Sequence, residues 1–333
     1  MTMTPATQQA YDMTNRAQEI TPDLFGRFVS FLDAAPATVR TYTASLRDFA
    51  RYLAAHEIRR PQRADVIAYR DTLKEKLKPA TVQLRVTAVR LFFQWTATEN
   101  LYPDIAAHIK GPRIDKLHKK DALDLDQVKE ILATIDTDTA RGCRDAAIIL
   151  LMVTGGLRDI EVHRANVEDL IQTGSSWRLL LQGKGKADRA EYVKVVPKVV
   201  QILRRYLDTR QGLEPGAPLF ASMSNNSRAR RLSVRSISGL VKDHMKRAGY
   251  DSRRISAHSL RHAAVTEALK GGATLQEVQQ FARHRNIETT LIYAHNLDQE
   301  ANKCADIISS GLFNDQNRPE ILDSLERRTG KWK

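Results

Sequence analysis

From Thr21 to Asn100, apolar residues recur at spacings of three and four with no strand-like alternation between them. Leu24, Phe28 and Phe31 mark a first helix; Tyr42, Leu46, Phe49 and Leu53 mark a second, from about Ala37 to Ala55. A third spans about Ala64 to Leu77, and a fourth, from about Pro79 to Asn100, carries Val86, Val89, Leu91, Phe92, Phe93 and Trp95. Each pattern puts one apolar stripe on a helix of period 3.6, so the stretch predicts a small all-α domain of helices joined by brief loops.

The pattern changes beyond residue 122. Asp124-Leu-Asp-Gln127 opens a helix to about Ile135, and the run Ala146–Val153 is apolar on every side, as a core helix is. Gly155-Gly156 breaks it, and Leu157-Arg158-Asp-Ile-Glu161 begins the next turn. Trp177–Gln182 and Tyr192–Val196 read as strands around a glycine- and lysine-rich hairpin loop, 183–189. A helix from about Ser233 to Ala248 leads into three short helices. Ser256 is placed to cap the first, which stops at Gly271-Gly272; Thr274-Leu-Gln-Glu277 is a capping box for the second, with Leu275, Val278, Phe281 and Ala282 as its buried stripe. Asn286 can cap the third, whose apolar face is Ile287, Leu291 and Ala294; at about 100° per residue Tyr293 falls off that face. A further helical segment runs from Asp298 to about Ser309 and ends near Phe313. The fold expected is mainly α, with a small antiparallel β-sheet in the C-terminal domain.

The 333 residues suffice for two domains with separate cores. The division expected is a loose tail (1–20), a helical domain (21–108), a basic linker (109–122) rich in lysine around Gly111-Pro112, a second domain (123–313) and a charged tail (314–333). A net charge of +13 implies an anionic partner, most simply nucleic acid, although an acidic membrane surface would also attract it. No apolar run reaches the length of a membrane span and the N-terminus lacks a signal-peptide layout, so the expectation is a cytoplasmic protein. Cys143 and Cys304, far apart, are expected to be ordinary reduced residues.

The candidate chemistry lies in His258, Arg261, His284 and Tyr293, which fall near the ends of the three short helices. Two arginines, Arg158 and Arg261, suit a phosphodiester because planar guanidinium forks bind phosphate oxygens bidentately. Tyr293 offers a nucleophilic phenol, and a lysine of the hairpin loop offers a proton to a departing oxygen. Taken alone, Arg158 reads first as an N-terminal helix arginine paired with Glu161, and His262, four residues after His258, reads as a packed helix histidine. No H-E-x-x-H motif and no acidic cluster calls for a metal, and no cofactor motif is present; Gly183-Lys-Gly lacks the spacing of a P-loop.

The ordered set His258-x-x-Arg261, His284, Tyr293, preceded by Gly-Leu157-Arg158-x-x-Glu161 and the hairpin lysine, resembles the tyrosine recombinase (phage integrase) family, and most nearly its simple Xer-type, two-domain members. The resemblance implies a two-domain DNA clamp: a SAM-like helical core-binding domain and an α+β catalytic domain. It implies a site-specific recombinase that cuts and rejoins strands through a covalent 3′-phosphotyrosine, without metal, cofactor or ATP, in DNA integration, excision or resolution. The catalytic set would be Arg158, Lys184, His258, Arg261, His284 and Tyr293, with Tyr293 the nucleophile, Lys184 the general acid, His258 handling the tyrosine proton and His284 bonding the phosphoryl group. Lys186 stands two residues from Lys184 in the same loop and competes for its role. The implied partners are double-stranded DNA with a specific recombination site and further copies, as a homo-tetramer on two sites or a hetero-tetramer with a related recombinase, with no membrane. The segment Asp298–Phe313 would dock on a neighbour. Two departures stand out: Gly155 where the family has threonine, and Ala282-Arg283 where Leu-Gly is common. Arg283 either crowds the pocket or adds a phosphate contact. A type IB topoisomerase and a non-cleaving DNA-binding regulator are the competing readings.

Overall fold

Pro22, Pro36, Pro79 and Pro197 each open a helix, where a missing N–H leaves no bond unmade and the fixed φ is already helical. The computed structural model describes residues 19–114, 123–182, 189–214, 216–224, 229–300 and 304–312. The chain divides into two compact units, Met1–Lys116 and Leu117–Lys333.

The first unit consists of α1 (Pro22–Phe31), α2 (Pro36–Ala55), α3 (Arg63–Lys76) and α4 (Pro79–Thr98). Its core is aromatic: Phe28, Phe49, Phe92 and Phe93 are buried, and Phe92 meets both Phe28 and Phe93 edge-on. Tyr69 joins them and donates its hydroxyl to Asp48 Oδ2 at 2.9 Å, an acid that also pairs with Arg85. Phe31, expected on the buried stripe of α1, is instead 60% exposed, because it occupies the last turn and lies against only the rim of Trp95. The basic residues Arg40, Arg47, Arg51, Arg59, Arg60, Arg63, Lys74, Lys76 and Lys78 are all exposed.

The second unit begins with α5 (Leu125–Ala133), whose N-cap Asp124 accepts from Gln127 N at 2.7 Å. The all-apolar run lies inside α6 (Ala140–Thr154), where Ala147, Ile148, Ile149, Leu151 and Met152 are fully buried. α7 (Asp159–Arg164) and a 3-10 turn follow, then β1 (Leu170–Thr173), β2 (Ser176–Leu181) and β3 (Glu191–Val195) as one antiparallel sheet in the order β1-β2-β3. Leu179 pairs with Leu170 on one side and Val193 on the other, and Leu179, Leu181, Val193 and Val195 all face the core. β1 is absent from the sequence reading because its four residues, half of them polar, show no alternation; pairing through the Gly174-Ser175 turn forms it.

α8 (Pro197–Asp208), α9 (Val234–Arg247), α10 (Ala257–Lys270), α11 (Leu275–Ala282), α12 (Glu288–Glu300) and α13 (Cys304–Leu312) complete the chain. α6 packs against α8 and α10, and α10 in turn against α11 and α12. A buried polar node joins α6 and α9: Arg144 pairs with Asp145 at 2.7 Å, Asp145 meets His244 Nε2 at 3.3 Å, and His244 Nδ1 meets Thr134 Oγ1 at 3.2 Å. Arg231 turns inward to the carbonyls of His163 and Ala165. Lys184 and Lys186, residues 115–122 of the linker, 225–228, Phe313, residues 1–18 of the first tail and the whole of the second lie outside the described residues.

Candidate active site

Gly156 is where α6 hands the chain to α7, and the site is built around its carbonyl. Its φ of +58° suits glycine, and a Cβ there would stand 3.0 Å from the ring of Phe281. The turn aims the Gly155 and Gly156 carbonyls back at the end of α11. Arg261, on the first half of α10 and 2% exposed, donates Nη1 to the Gly156 carbonyl and Nη2 to the Ala282 carbonyl. Arg158, at the N-cap of α7, donates Nη2 to the same Ala282 carbonyl at 3.4 Å and to the Arg283 carbonyl at 3.1 Å. A shared acceptor thus brings the two arginines named from the sequence together, although 103 positions separate them.

The carboxylate partner of Arg158 is Glu161. It accepts the backbone N–H of Arg158 at 2.8 Å, capping α7, and Arg158 Nη1 at 2.7 Å. Burial pushes its carboxyl up, but Arg283 and then Arg158 outweigh that and hold it below the usual range. Burial, with Arg158 and Arg283 nearby, lowers the Arg261 guanidinium to about 9, so it is still charged at neutral pH.

α11 ends in a Schellman turn: Arg283 N–H reaches the Gln280 carbonyl at 3.1 Å and His284 N–H the Gln279 carbonyl at 3.0 Å. Arg283 is the left-handed residue of that turn, at φ +52° and ψ +46°, a conformation that costs an L-residue about 1–2 kcal/mol. Of the two readings of Arg283, crowding or a phosphate contact, the structure shows neither: its side chain folds inward onto Glu161 and the glycine carbonyls. His284, next in line, meets Thr290 Oγ1 with Nδ1 at 2.9 Å. Burial, then the charges of Arg261 and Arg158, depress its imidazole to about 4, so it is neutral at physiological pH.

Tyr293 is only 6% exposed, packed with Val265, Val278 and Ala282. This corrects the sequence expectation that it projects away from its helix's apolar side. α12 buries Thr290 and Tyr293 against α10, and leaves Ile287 37% exposed; the buried face is set by where α10 and α11 lie, not by where the aliphatic residues fall. Burial pushes the phenol up to about 12, against the pull of Arg261 and Arg158. Its hydroxyl is hydrogen-bonded to His262 Nδ1. His262 is the packed helix histidine the sequence suggested, and it is also the imidazole that meets the Tyr293 hydroxyl, a contact the sequence reading did not assign. His258, one turn earlier, lies edge-on to the His262 ring at 4.4 Å, and the His284 ring stacks 6.3 Å from that of Tyr293. The signal available was helical spacing: His258 and His262 are four apart and must share a face.

A groove of about 810 Å³ runs beside this cluster, lined by Gly155, Ala190, Glu191, Phe281 and His284 among others. Ala190 and Glu191, which come shortly after Lys184 and Lys186 in the sequence, stand at the rim of this groove. Among the described residues no cluster of three or more His, Cys, Asp or Glu is arranged to hold a metal.

Against known families, residues 121–300 match the phage integrase family and residues 26–100 its N-terminal SAM-like domain. The chain belongs to the phage integrase family. A tyrosine recombinase XerC of Myxococcus xanthus is 30% identical over 269 residues, covering 78% of this chain and 87% of the relative. A tyrosine recombinase XerD of Caulobacter vibrioides is 30% identical over 79% of this chain and 87% of the relative. Among solved structures, a XerH site-specific recombinase bound to a palindromic difH substrate in a post-cleavage complex superposes with a TM-score of 0.70 at 19% identity, covering 91% of this chain and 88% of that one. A lambda integrase dimer bound to a COC′ core site gives 0.66 at 14% identity over 88% and 81%. These two likenesses concern the fold. In this family member the arginines and the tyrosine of the sequence motif meet within one cluster of helix ends.

Proposed function

We propose that the chain is a site-specific DNA recombinase that breaks and rejoins strands through a phosphotyrosine. The observation that supports this most is the convergence of Arg158 and Arg261 on one carbonyl, near the buried Tyr293 hydroxyl. Guanidinium N–H groups beyond those bonded to protein carbonyls and Glu161 would hold the non-bridging oxygens of a scissile phosphate, where charge develops in the transition state. Tyr293 Oη attacks phosphorus, the P–O5′ bond breaks, and the 3′ phosphate stays on the tyrosine. The phenol proton passes to His262, with His258 behind it, and His284 donates to a phosphoryl oxygen. The leaving 5′ oxygen takes a proton from Lys184, or from Lys186 in the same loop. Attack by a second 5′-hydroxyl reverses the step and reseals the strand, so neither ATP nor a metal is needed.

In this reading residues 21–108 are the core-binding domain, placing exposed arginines and lysines against phosphates; 109–122 are the linker and 123–313 the catalytic domain. A topoisomerase or a silent regulator is not favoured by relatives named as recombinases. Assembly into a tetramer on two sites rests on α13, where Ile307 and Ile308 are 66% and 62% exposed and so suit an apolar groove on a second copy. Ending the chain after Glu300 should keep single-site binding and abolish paired-site complexes; a parallel fall in melting temperature and single-site binding would instead mean packing within one protomer.

The chemistry is tested by incubating the protein with a random-sequence pool of nicked duplexes and recovering DNA covalently held by protein. Wild type should capture a defined site, and Tyr293→Phe should bind that duplex and form no adduct. Adduct in Tyr293→Phe sinks the assignment.

A further inference from the structure

Resting on the reading above, we propose that Arg283 is a positioning residue of the recombination site, which neutralises Glu161 and thereby leaves Arg158 able to grip the scissile phosphate. A guanidinium has five N–H donors, and every one of Arg283's has an acceptor. Nη1 bonds the carbonyls of Phe281 at 2.8 Å and Gly155 at 3.2 Å; Nη2 bonds the Gly156 carbonyl and Glu161 Oε2, both at 2.8 Å; Nε reaches Glu161 Oε1 at 3.4 Å. The side chain is 5% exposed. A saturated, buried guanidinium has no donor left for DNA, so Arg283 is not a phosphate ligand.

The backbone says that this side chain is held for a reason. Arg283 occupies the left-handed position of a Schellman turn, which glycine fills without strain. Residues held in such conformations persist only where their surroundings over-determine them. Here the surroundings are three carbonyls and one fully buried carboxylate. Arg283 and Arg158 share that carboxylate, each contacting both oxygens when the Arg158 backbone N–H is counted. Without Arg283, the buried charge of Glu161 falls to Arg158 alone and draws its guanidinium off the phosphate. The Gly155-Gly156 turn, which also anchors Arg261, loses two of its donors in the same step.

The test uses full-length protein and the duplex captured by wild type. Arg283→Gly suits the left-handed turn and should fold, and should bind the duplex within about threefold of wild type. Its first-order rate of adduct formation should fall by about 10- to 100-fold, in the range of lost preorganisation. Arg283→Gln, which keeps the strain but not the charge, should be as slow. Adding Glu161→Gln to Arg283→Gly should cost much less than the product of the two single losses, since the charge that Arg283 neutralises is gone. A carbon-13 titration of Glu161, which needs no DNA, should show its carboxyl moving upward in Arg283→Gly. Wild-type rates in both Arg283 variants, multiplicative losses in the double variant, or an unmoved Glu161 would each overturn the proposal. Absence of adduct with wild type would count against the recombinase reading and leave the Glu161 titration to decide the role of Arg283.

Discussion

The two units bury different things. Among the described residues of the first, the buried polar side chains are Ser45 and Thr96, and the rest of the interior is aliphatic and aromatic. The second unit buries Arg144, Asp145, Glu161, His244, Arg261 and His262, among others. Removing charge from water is costly unless it is paired and hydrogen-bonded, so a unit that does it repeatedly is held to a particular arrangement. Yet burial of charge does not by itself mark the site. The node of Arg144, Asp145 and His244 pairs one guanidinium with one carboxylate. Around Glu161, three guanidinia, of Arg158, Arg261 and Arg283, contact or surround one carboxylate. The balanced node is a brace; the unbalanced one is short of an anion, and a phosphodiester would supply it.

The strongest way to break that distinction is to remove a cation from each node. Arg261→Ala should lower adduct formation by about 10²–10³-fold, as loss of one preorganised donor does. It should also destabilise the second unit by about 0.5–1.5 kcal/mol for each of the two hydrogen bonds lost, since the Gly156 and Ala282 carbonyls each keep a second donor, Arg283 and Arg158. Arg158, part-exposed, should lose a similar factor in rate on replacement by Ala with a smaller change in melting temperature. A rate within fivefold of wild type for either variant would refute the phosphate assignment.

Asp145→Ala tests the brace. It strands the Arg144 charge and should destabilise by about 3–5 kcal/mol, while the cleavage rate per folded molecule stays as it was. A loss of rate beyond the loss of folded protein, measured by denaturant unfolding beside adduct assays, would make the node part of the chemistry.

The pH response should sharpen the same contrast. The His284 imidazole is pushed down to about 4 in the folded chain, from its ordinary 6.5, because burial and the arginines disfavour its charged form. Its folded value is depressed, so the stability it contributes is complete above the unfolded value and drains away as pH falls from there toward 4. Proton NMR of the His284 ring should show that low midpoint, and Arg261→Lys should leave it low, since the charge remains. A midpoint at or above 6.5 would mean the site is more open than described.

The smallest effect belongs to the first unit. Phe31→Ser should change stability by no more than about 0.5 kcal/mol, since the ring is exposed. Phe93→Ala, fully buried, should cost about 3–5 kcal/mol by the same unfolding measurement.

What the sequence determined by itself was mostly periodic or ordered along the chain. The stripes of α2, α3 and α4, the capping of α5 by Asp124 and of α11 by Thr274, and the stop of α10 at Gly271 are local, because a helix is made of bonds between near neighbours. The motif Arg158, His258, Arg261, His284, Tyr293 was legible as an ordered set. Tertiary structure decided the rest. β1 exists only by pairing, and Phe31 stays largely exposed beside Trp95 in the last turn of its helix. Tyr293 is buried because α10 and α11 cover a face that its own helix does not mark as apolar. His262 meets the Tyr293 hydroxyl, and Arg283 turns inward to Glu161, across separations of 31 and 122 positions. Side-chain chemistry lists what each residue can bond; only the folded chain fixes which acceptor stands within reach, and a donor buried away from water must take it.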